Sequence, residues 1–277
     1  MIVWLASYPK SGNTLLRGIL SSYFFSKDGV LDFDNLYKIG QFPCINQFKS
    51  IGINTSDASE VFKNYIKAQE NINKHIKKTI FLKTHSAFCK IDNSNFTNLK
   101  NSLGVIYVTR DPRNLVNSLA YHNQVNIEIA TNILINNRWL EKDNIITKTF
   151  VGSWKFNYLS WKKFEKKCLI IRYEDLINHK KKTIIEILNF LKKFKIKNLE
   201  IDHKKIDKII ETTEFNYMKK LEKKIKFDES VTDDLTGKKK PFFNLGPNNQ
   251  YKKNLDNRIV EIIEKEFKTE MKELGYI

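Results

Sequence analysis

The sequence predicts an α/β protein, doubly wound, with a central parallel β-sheet flanked by helices on both faces. Three observations carry this expectation. Four short runs, residues 2–7, 79–83, 105–109 and 168–172, are rich in β-branched or aromatic residues and apolar on both faces, as strands buried in a parallel sheet should be. Helical patterns with long crossovers separate these runs. Three of the four end in polar, chemistry-bearing residues, and open α/β sheets bind ligands at the carboxyl ends of their strands.

The elements follow in chain order. After the first strand, residues 11–25 place Leu15, Leu16, Ile19, Leu20, Tyr23 and Phe24 on one helical stripe. A helix over 58–77 precedes the second strand. The third strand runs into Asp111-Pro112, a good helix start, and predicts a helix over 112–122. Further helices are expected over 151–164, 181–194, 204–212 and 255–274. Residues 223–251 are polar and turn-rich, with Gly237, Pro241, Gly246 and Pro247, and read as a mobile loop. Neither an internal repeat nor a long linker is visible, so a single domain over 1–277 is expected. Segments 30–73 and 125–151 are the insertions best placed to form a pocket. Phe33, Tyr37, Phe42, Phe48, Trp139 and Phe150 are their candidate walls, with core packing as the alternative for each.

Composition narrows the function classes. No apolar run approaches the ~18 residues of a membrane helix, so no membrane insertion is expected. Residues 1–6 lack the basic start and long apolar stretch of a signal peptide. Cys44, Cys89 and Cys168 are scattered and suggest neither a disulfide framework nor a zinc site. A cytoplasmic protein is expected. The net charge of +17 calls for an anionic partner: nucleic acid, a membrane surface or a phosphorylated small molecule. Only six of the forty-eight basic residues are arginines, the side chain nucleic-acid readers favour. The lysine clusters, such as Lys180-Lys181-Lys182, read more simply as solvated helix faces. The informative cations are the few beside strand ends.

Ser7-Tyr8-Pro9-Lys10-Ser11-Gly12-Asn13-Thr14 joins the first strand to the first helix. A helix start offers unpaired N–H groups and a positive dipole end, which favour a phosphate. Gly12 permits close approach, Lys10 adds a charge, and Ser11, Asn13 and Thr14 add donors. The plain alternative is a Pro/Gly turn with a Ser or Thr cap. The loop is not a Walker A motif, because Lys10 precedes its only glycine. At the second strand end, Lys83-Thr84-His85 places a lysine two residues before an imidazole whose ordinary pKa lies near neutrality. Of the five histidines, only His85 stands at a strand end with a lysine beside it. The third strand ends in Thr109-Arg110-Asp111-Pro112.

Tyr8-Pro9-Lys10-Ser11-Gly12-Asn13-Thr14 resembles the 5′-phosphosulfate loop of the sulfotransferases, usually YPKSGTTW, with Asn13 and Leu15 as departures. That family has a P-loop-like fold and transfers a sulfuryl group from 3′-phosphoadenosine 5′-phosphosulfate (PAPS) to a hydroxyl or amine, without metal. The resemblance implies that Lys10, Ser11, Gly12, Asn13 and Thr14 hold the phosphosulfate. It implies that His85 is the base, with Lys10 and Lys83 neutralising charge on the reacting oxygens. Arg110 and Ser118, eight residues apart, resemble the pair that grips the 3′-phosphate, while Arg113 faces either ligand or solvent. Arg172-Tyr173-Glu174-Asp175-Leu176 is similar to the segment whose Tyr lies near the adenine, with Glu174 and Asp175 open to a capping role. Thr213-Glu214-Phe215-Asn216-Tyr217-Met218 is similar to the segment bordering the adenine, which implies Thr213 and Phe215, with core packing as the alternative for Phe215. The last family motif, R-K-G-x-x-G-x-W, keeps Gly246 and an aromatic, Tyr251, but lacks its Arg-Lys pair. Lys238, Lys239, Lys240, Lys252 and Lys253 are candidate substitutes. The expected acceptor is a small molecule or carbohydrate rather than nucleic acid. A small-molecule kinase and a basic nucleic-acid-binding protein are the competing readings.

Overall fold

A computed structural model describes every residue except Lys77, Lys197, Asn198, Lys226, Asp234 and Leu235. Its centre is a five-stranded parallel sheet of β1 (Ile2–Ser7), β2 (Gly40–Gln41), β3 (Ile80–Thr84), β4 (Ser102–Thr109) and β5 (Cys168–Arg172). Their order is β2-β3-β1-β4-β5. The chain therefore winds one way from β1 through β3, then crosses to the other side for β4 and β5. Ala6 pairs with Thr84 and Tyr107, and Ser7 with Val108. That register brings the ends of β3, β1 and β4 to one level.

The central strands are buried on both faces because their middle positions are apolar, with polar residues confined to their ends. Ile2, Trp4 and Ala6 of β1 join one core with Val105 and Tyr107 of β4. Val3 and Leu5 join the opposite core with Ile106 and Val108. This is the two-residue period of a strand between two helical layers. Around the sheet pack α1 (Asn13–Phe25), α2 (Pro112–Asn123), α3 (Ile127–Ile135), α4 (Trp154–Lys162), α5 (Tyr173–Asn178), α6 (His203–Thr212) and α7 (Phe215–Lys224). No helix among the described residues is long and apolar enough to cross a membrane.

Two expected helices are broken. Residues 58–77 form Ala58–Lys63 and Tyr65–Ile76, interrupted where the Asn64 amide donates to the Glu60 carbonyl. Residues 255–274 form Asn257–Glu266 and Lys268–Glu273, separated by Phe267. Phe267 is fully buried, its ring 4.9 Å from that of Trp154. In both places one side chain's contact outweighs helix propensity. The segment expected as a loop, 223–251, includes the end of α7 and the short helices Gly246–Asn248 and Tyr251–Asn254. Lys226, Asp234 and Leu235 of that segment lie outside the described residues.

Candidate active site

The loop after β1 turns at two left-handed residues, Lys10 (φ 68°) and Gly12 (φ 105°). Only glycine suits the second: an added Cβ would lie 2.4 Å from the Tyr173 ring. The Asn13 amide donates to the Leu5 carbonyl (2.9 Å) and Ser7 Oγ (3.2 Å), tying the helix start to the strand. The first turn of α1 has no acidic residue, and its N-cap makes no side-chain hydrogen bond. The opening amides of α1 lack intrahelical acceptors and sit at the positive end of its dipole.

At the end of β3, His85 Nδ1 lies 2.8 Å from the Ser7 carbonyl oxygen. A carbonyl only accepts, so Nδ1 carries the proton and Nε2 keeps the lone pair of the neutral ring. The Asn157 amide donates to the His85 carbonyl (3.1 Å) and fixes its backbone. Burial, followed by the Lys83 charge, pushes the imidazole pKa down to about 3. His85 is therefore neutral at physiological pH. Lys10, half-buried, is pushed down to about 8 chiefly by desolvation, and its ammonium sits 4.0 Å above the Phe242 ring. Lys83 is lowered by burial, opposed by Glu229.

At the end of β4, Arg110 Nη1 donates to Ser118 Oγ (3.2 Å) and to the Lys10 carbonyl (3.4 Å), linking two strand ends. The Tyr173 ring lies 4.4 Å from the guanidinium. Arg110 Nε is buried without a hydrogen-bond partner, as is Ser11 Oγ. Asn249 donates to Ser118 Oγ (3.0 Å) and to the Asn114 carbonyl (2.8 Å).

These groups surround one cavity of about 400 Å³. Lys10, Gly12, Asn13, Thr14, Lys83, His85, Arg110, Ser118, Tyr173, Phe215 and Gly246 all line it. Gly246, with φ 53°, lies against Phe215, which an added Cβ would meet at 2.4 Å. Two expected residues do not line the cavity. Ser11 is buried beneath the loop. Thr213 is buried where α6 ends, its hydroxyl donating to the Ile209 carbonyl (2.6 Å) and its carbonyl accepting from Lys180 (3.2 Å).

Other expectations need correction. None of the six proposed aromatic walls faces the cavity. Phe33, Phe42 and Phe48 are core, and Trp139 packs against Phe62 and Phe150. Segment 30–73 contributes only Gln41, while 125–151 contributes Arg138, Leu140, Asp143, Ile145 and Ile146. The five candidate lysines do not line it either, and Asn249 stands beside Ser118 instead. Arg113 is committed to Asp111, Glu264 and the Tyr276 carbonyl. Glu174 accepts from the Asp111 amide (3.1 Å), and Asp175 pairs with Arg172 (2.8 Å).

The most consequential residue that sequence reasoning missed is Glu229. Its carboxylate accepts from Thr14 Oγ1 (2.8 Å), Lys83 Nζ (3.0 Å) and buried Arg17. The cations hold its pKa well below the usual carboxylate range, against the opposing effect of burial. Nothing in the turn-rich context of Glu229 signals this, because the contacts span 146 residues or more. Among the described residues, no group of three or more His, Cys, Asp or Glu side chains is placed to hold a metal ion.

The profile of the sulfotransferase domain matches residues 2–275. The chain belongs to the sulfotransferase domain family. The sequence matches no curated protein. Among solved structures, mouse sulfotransferase SULT7A1 complexed with PAP is similar at a TM-score of 0.59 and 20% identity, covering 97% of this chain and 83% of that one. Retinol dehydratase in complex with androsterone and the inactive cofactor PAP is similar at 0.57 and 15%, covering 98% and 80%. Its complex with retinol and PAP gives 0.57 and 16%, covering 98% and 81%. These structures share this sulfotransferase's fold, and its strand ends carry the family's motif residues around one cavity.

Proposed function

We propose that this sulfotransferase moves a sulfuryl group from PAPS to a hydroxyl or amine of a small-molecule or carbohydrate acceptor, with His85 as general base. One observation carries the reading: Lys10, Lys83, His85 and Arg110, from three adjacent strand ends, line the same cavity at the start of a helix.

The residues present fit the nucleotide. Arg110 has an unsatisfied buried Nε and a hydrogen bond to Ser118, the donor set a 3′-phosphate would take. Tyr173, Phe215 and Gly246 would border the adenine. The free amides opening α1, with Lys10 and Thr14, would take the phosphosulfate. Bound there, PAPS would supply the sulfuryl group, its sulfur–oxygen bond to the 5′-phosphate breaking as the bond to the acceptor forms. His85 Nε2, unprotonated because Nδ1–H is spent on Ser7, would take the acceptor's proton. Lys10 and Lys83 would offset the negative charge that builds on the oxygens.

Calorimetric titration with 3′-phosphoadenosine 5′-phosphate (PAP) against ATP·Mg²⁺ tests the donor. Micromolar or tighter binding of PAP without metal is expected, followed by label transfer from PAPS in an acceptor screen. Preference for ATP·Mg²⁺ would return the chain to the kinase reading.

A further inference from the structure

The cavity wall contributed by segment 125–151 includes a cation that the sulfuryl-transfer chemistry does not use. Arg138 lines the cavity just beyond α3, on backbone pinned by hydrogen bonds from the Val151 and Gly152 amides to its carbonyl (3.0 and 3.2 Å). Its guanidinium lies 5.5 Å from the ring of Tyr8, whose hydroxyl donates to the Ile133 carbonyl. Lys83 is engaged with Glu229, Arg110 with Ser118 and Lys10 over Phe242, while the Arg138 guanidinium is shared with the Tyr8 hydroxyl. Among the described residues Arg138 forms no ion pair with a carboxylate, and its Nε is buried without a hydrogen-bond partner. Asn123 lines the same cavity, and its Nδ2 is likewise buried and unpartnered. Both unsatisfied groups are donors. Donors withdrawn from water without a partner are costly, so a ligand rich in acceptor oxygens is the natural complement.

The acidic groups on the cavity do not answer this charge. Glu229 is taken by Thr14, Lys83 and Arg17. Asp143 is exposed and caps its own turn, accepting from the Ile145 and Ile146 amides (2.6 and 2.7 Å). His122, also on the wall, is held neutral by burial and by the Lys10 and Arg138 charges, its pKa pushed down to about 4. The same guanidinium helps to depress His85, so its field reaches the proposed base. An anion on Arg138 would cancel part of that field and make His85 a stronger base when the acceptor is bound.

We propose that the acceptor carries an oxyanion, a carboxylate or a sulfonate-type group, which Arg138 binds beside the hydroxyl or amine presented to His85. The proposal rests on the sulfuryl-transfer reading. A guanidinium suits this task because its planar fork meets two oxygens at once.

The test uses the full chain with labelled PAPS and phenols matched except for charge: 4-hydroxyphenylacetate, 4-hydroxybenzenesulfonate, 4-ethylphenol and tyramine. Glucuronate against glucose is the sugar pair. Within a scaffold, an anionic member is expected to exceed its neutral partner at least ~10-fold in kcat/KM, the size of a charge-assisted hydrogen bond. The carboxylate and sulfonate arms distinguish the two oxyanions. Arg138→Gln should cut the preference below about threefold while leaving PAP affinity unchanged, which also shows that the variant folds. A neutral or amine preference, or an anion preference that survives in Arg138→Gln, overturns the proposal. If no scaffold is turned over, binding of the same pairs to the enzyme–PAP complex must show the anion preference, and its absence overturns the proposal equally. Failure of the wild type to bind PAP would instead strike the sulfotransferase reading and take this proposal with it.

Discussion

The two sides of the cavity are built differently. The side assigned to the nucleotide rests on the ends of β1, β3 and β4, on the first turn of α1 and on the middle of α2, where Ser118 stands, so these side chains inherit their places from buried strands and helices. The other side is a small excursion between α3 and α4, in which the short antiparallel pair Trp139–Leu140 and Thr149–Phe150 encloses a turn, with Arg138, Leu140, Asp143, Ile145 and Ile146 on the cavity. Ile145 is 62% exposed, whereas every residue of β1 is buried. Chemistry shared by a family belongs on the rigid frame, and discrimination between acceptors belongs on segments that can change without disturbing the sheet.

Breaking the rigid side should cost most where the two sides meet. His85→Ala is expected to lower turnover by ~10²–10⁴-fold while PAP titration stays unchanged. Turnover kept within tenfold would remove His85 from the role of base.

Next comes Glu229, which ties segment 223–251 to the frame. Glu229→Gln leaves Arg17 and Lys83 without their counter-charge and should reduce stability by about 2–4 kcal/mol in urea unfolding. The pH dependence has a definite sign. Glu229 is depressed below its ordinary 4.5 and His85 below its ordinary 6.5. In both cases the unfolded chain takes up protons first as pH falls. Stability should therefore be complete above 6.5 and decline below it, first through His85 and then, under 4.5, through Glu229. A stability curve flat from pH 7 to 4 would contradict these environments.

Arg110→Ala should weaken PAPS ~10–100-fold but adenosine 5′-phosphosulfate, which lacks the 3′-phosphate, less than threefold. Equal losses would move Arg110 off that phosphate. The smallest effect is a slope. Lys10 loses its charge as pH rises through about 8, so PAP affinity should fall by up to ~10-fold per unit above that pH. Lys10→Arg should abolish the slope.

The same division explains what could be read from the sequence. Lys10, Lys83, His85 and Arg110 were readable because strand ends announce themselves as short apolar runs that stop at polar residues. Thr213 turns its hydroxyl to the Ile209 carbonyl, and a match to a motif does not say which way a hydroxyl turns at a helix end. For Phe42 and Phe48 the sequence leaves pocket wall and core both open, since an aromatic residue looks the same in either place, and burial puts both in the core. Glu229, Arg138 and Asn249 carried no local signal. Their roles arise from contacts closed across long stretches of chain, which spacing and periodicity do not encode.

The Glu229 carboxylate bears on how ligand binding responds to ionic strength. Thr14 and Lys83 already hold an anion, tethered to the protein itself. A free anion arriving at these two donors exchanges with the tethered one, and its affinity reports the difference between two anions. Little ionic atmosphere is then released at that point. Salt should weaken nucleotide binding less than a count of nearby lysines suggests, and most of the response should come from the Arg110 end of the cavity.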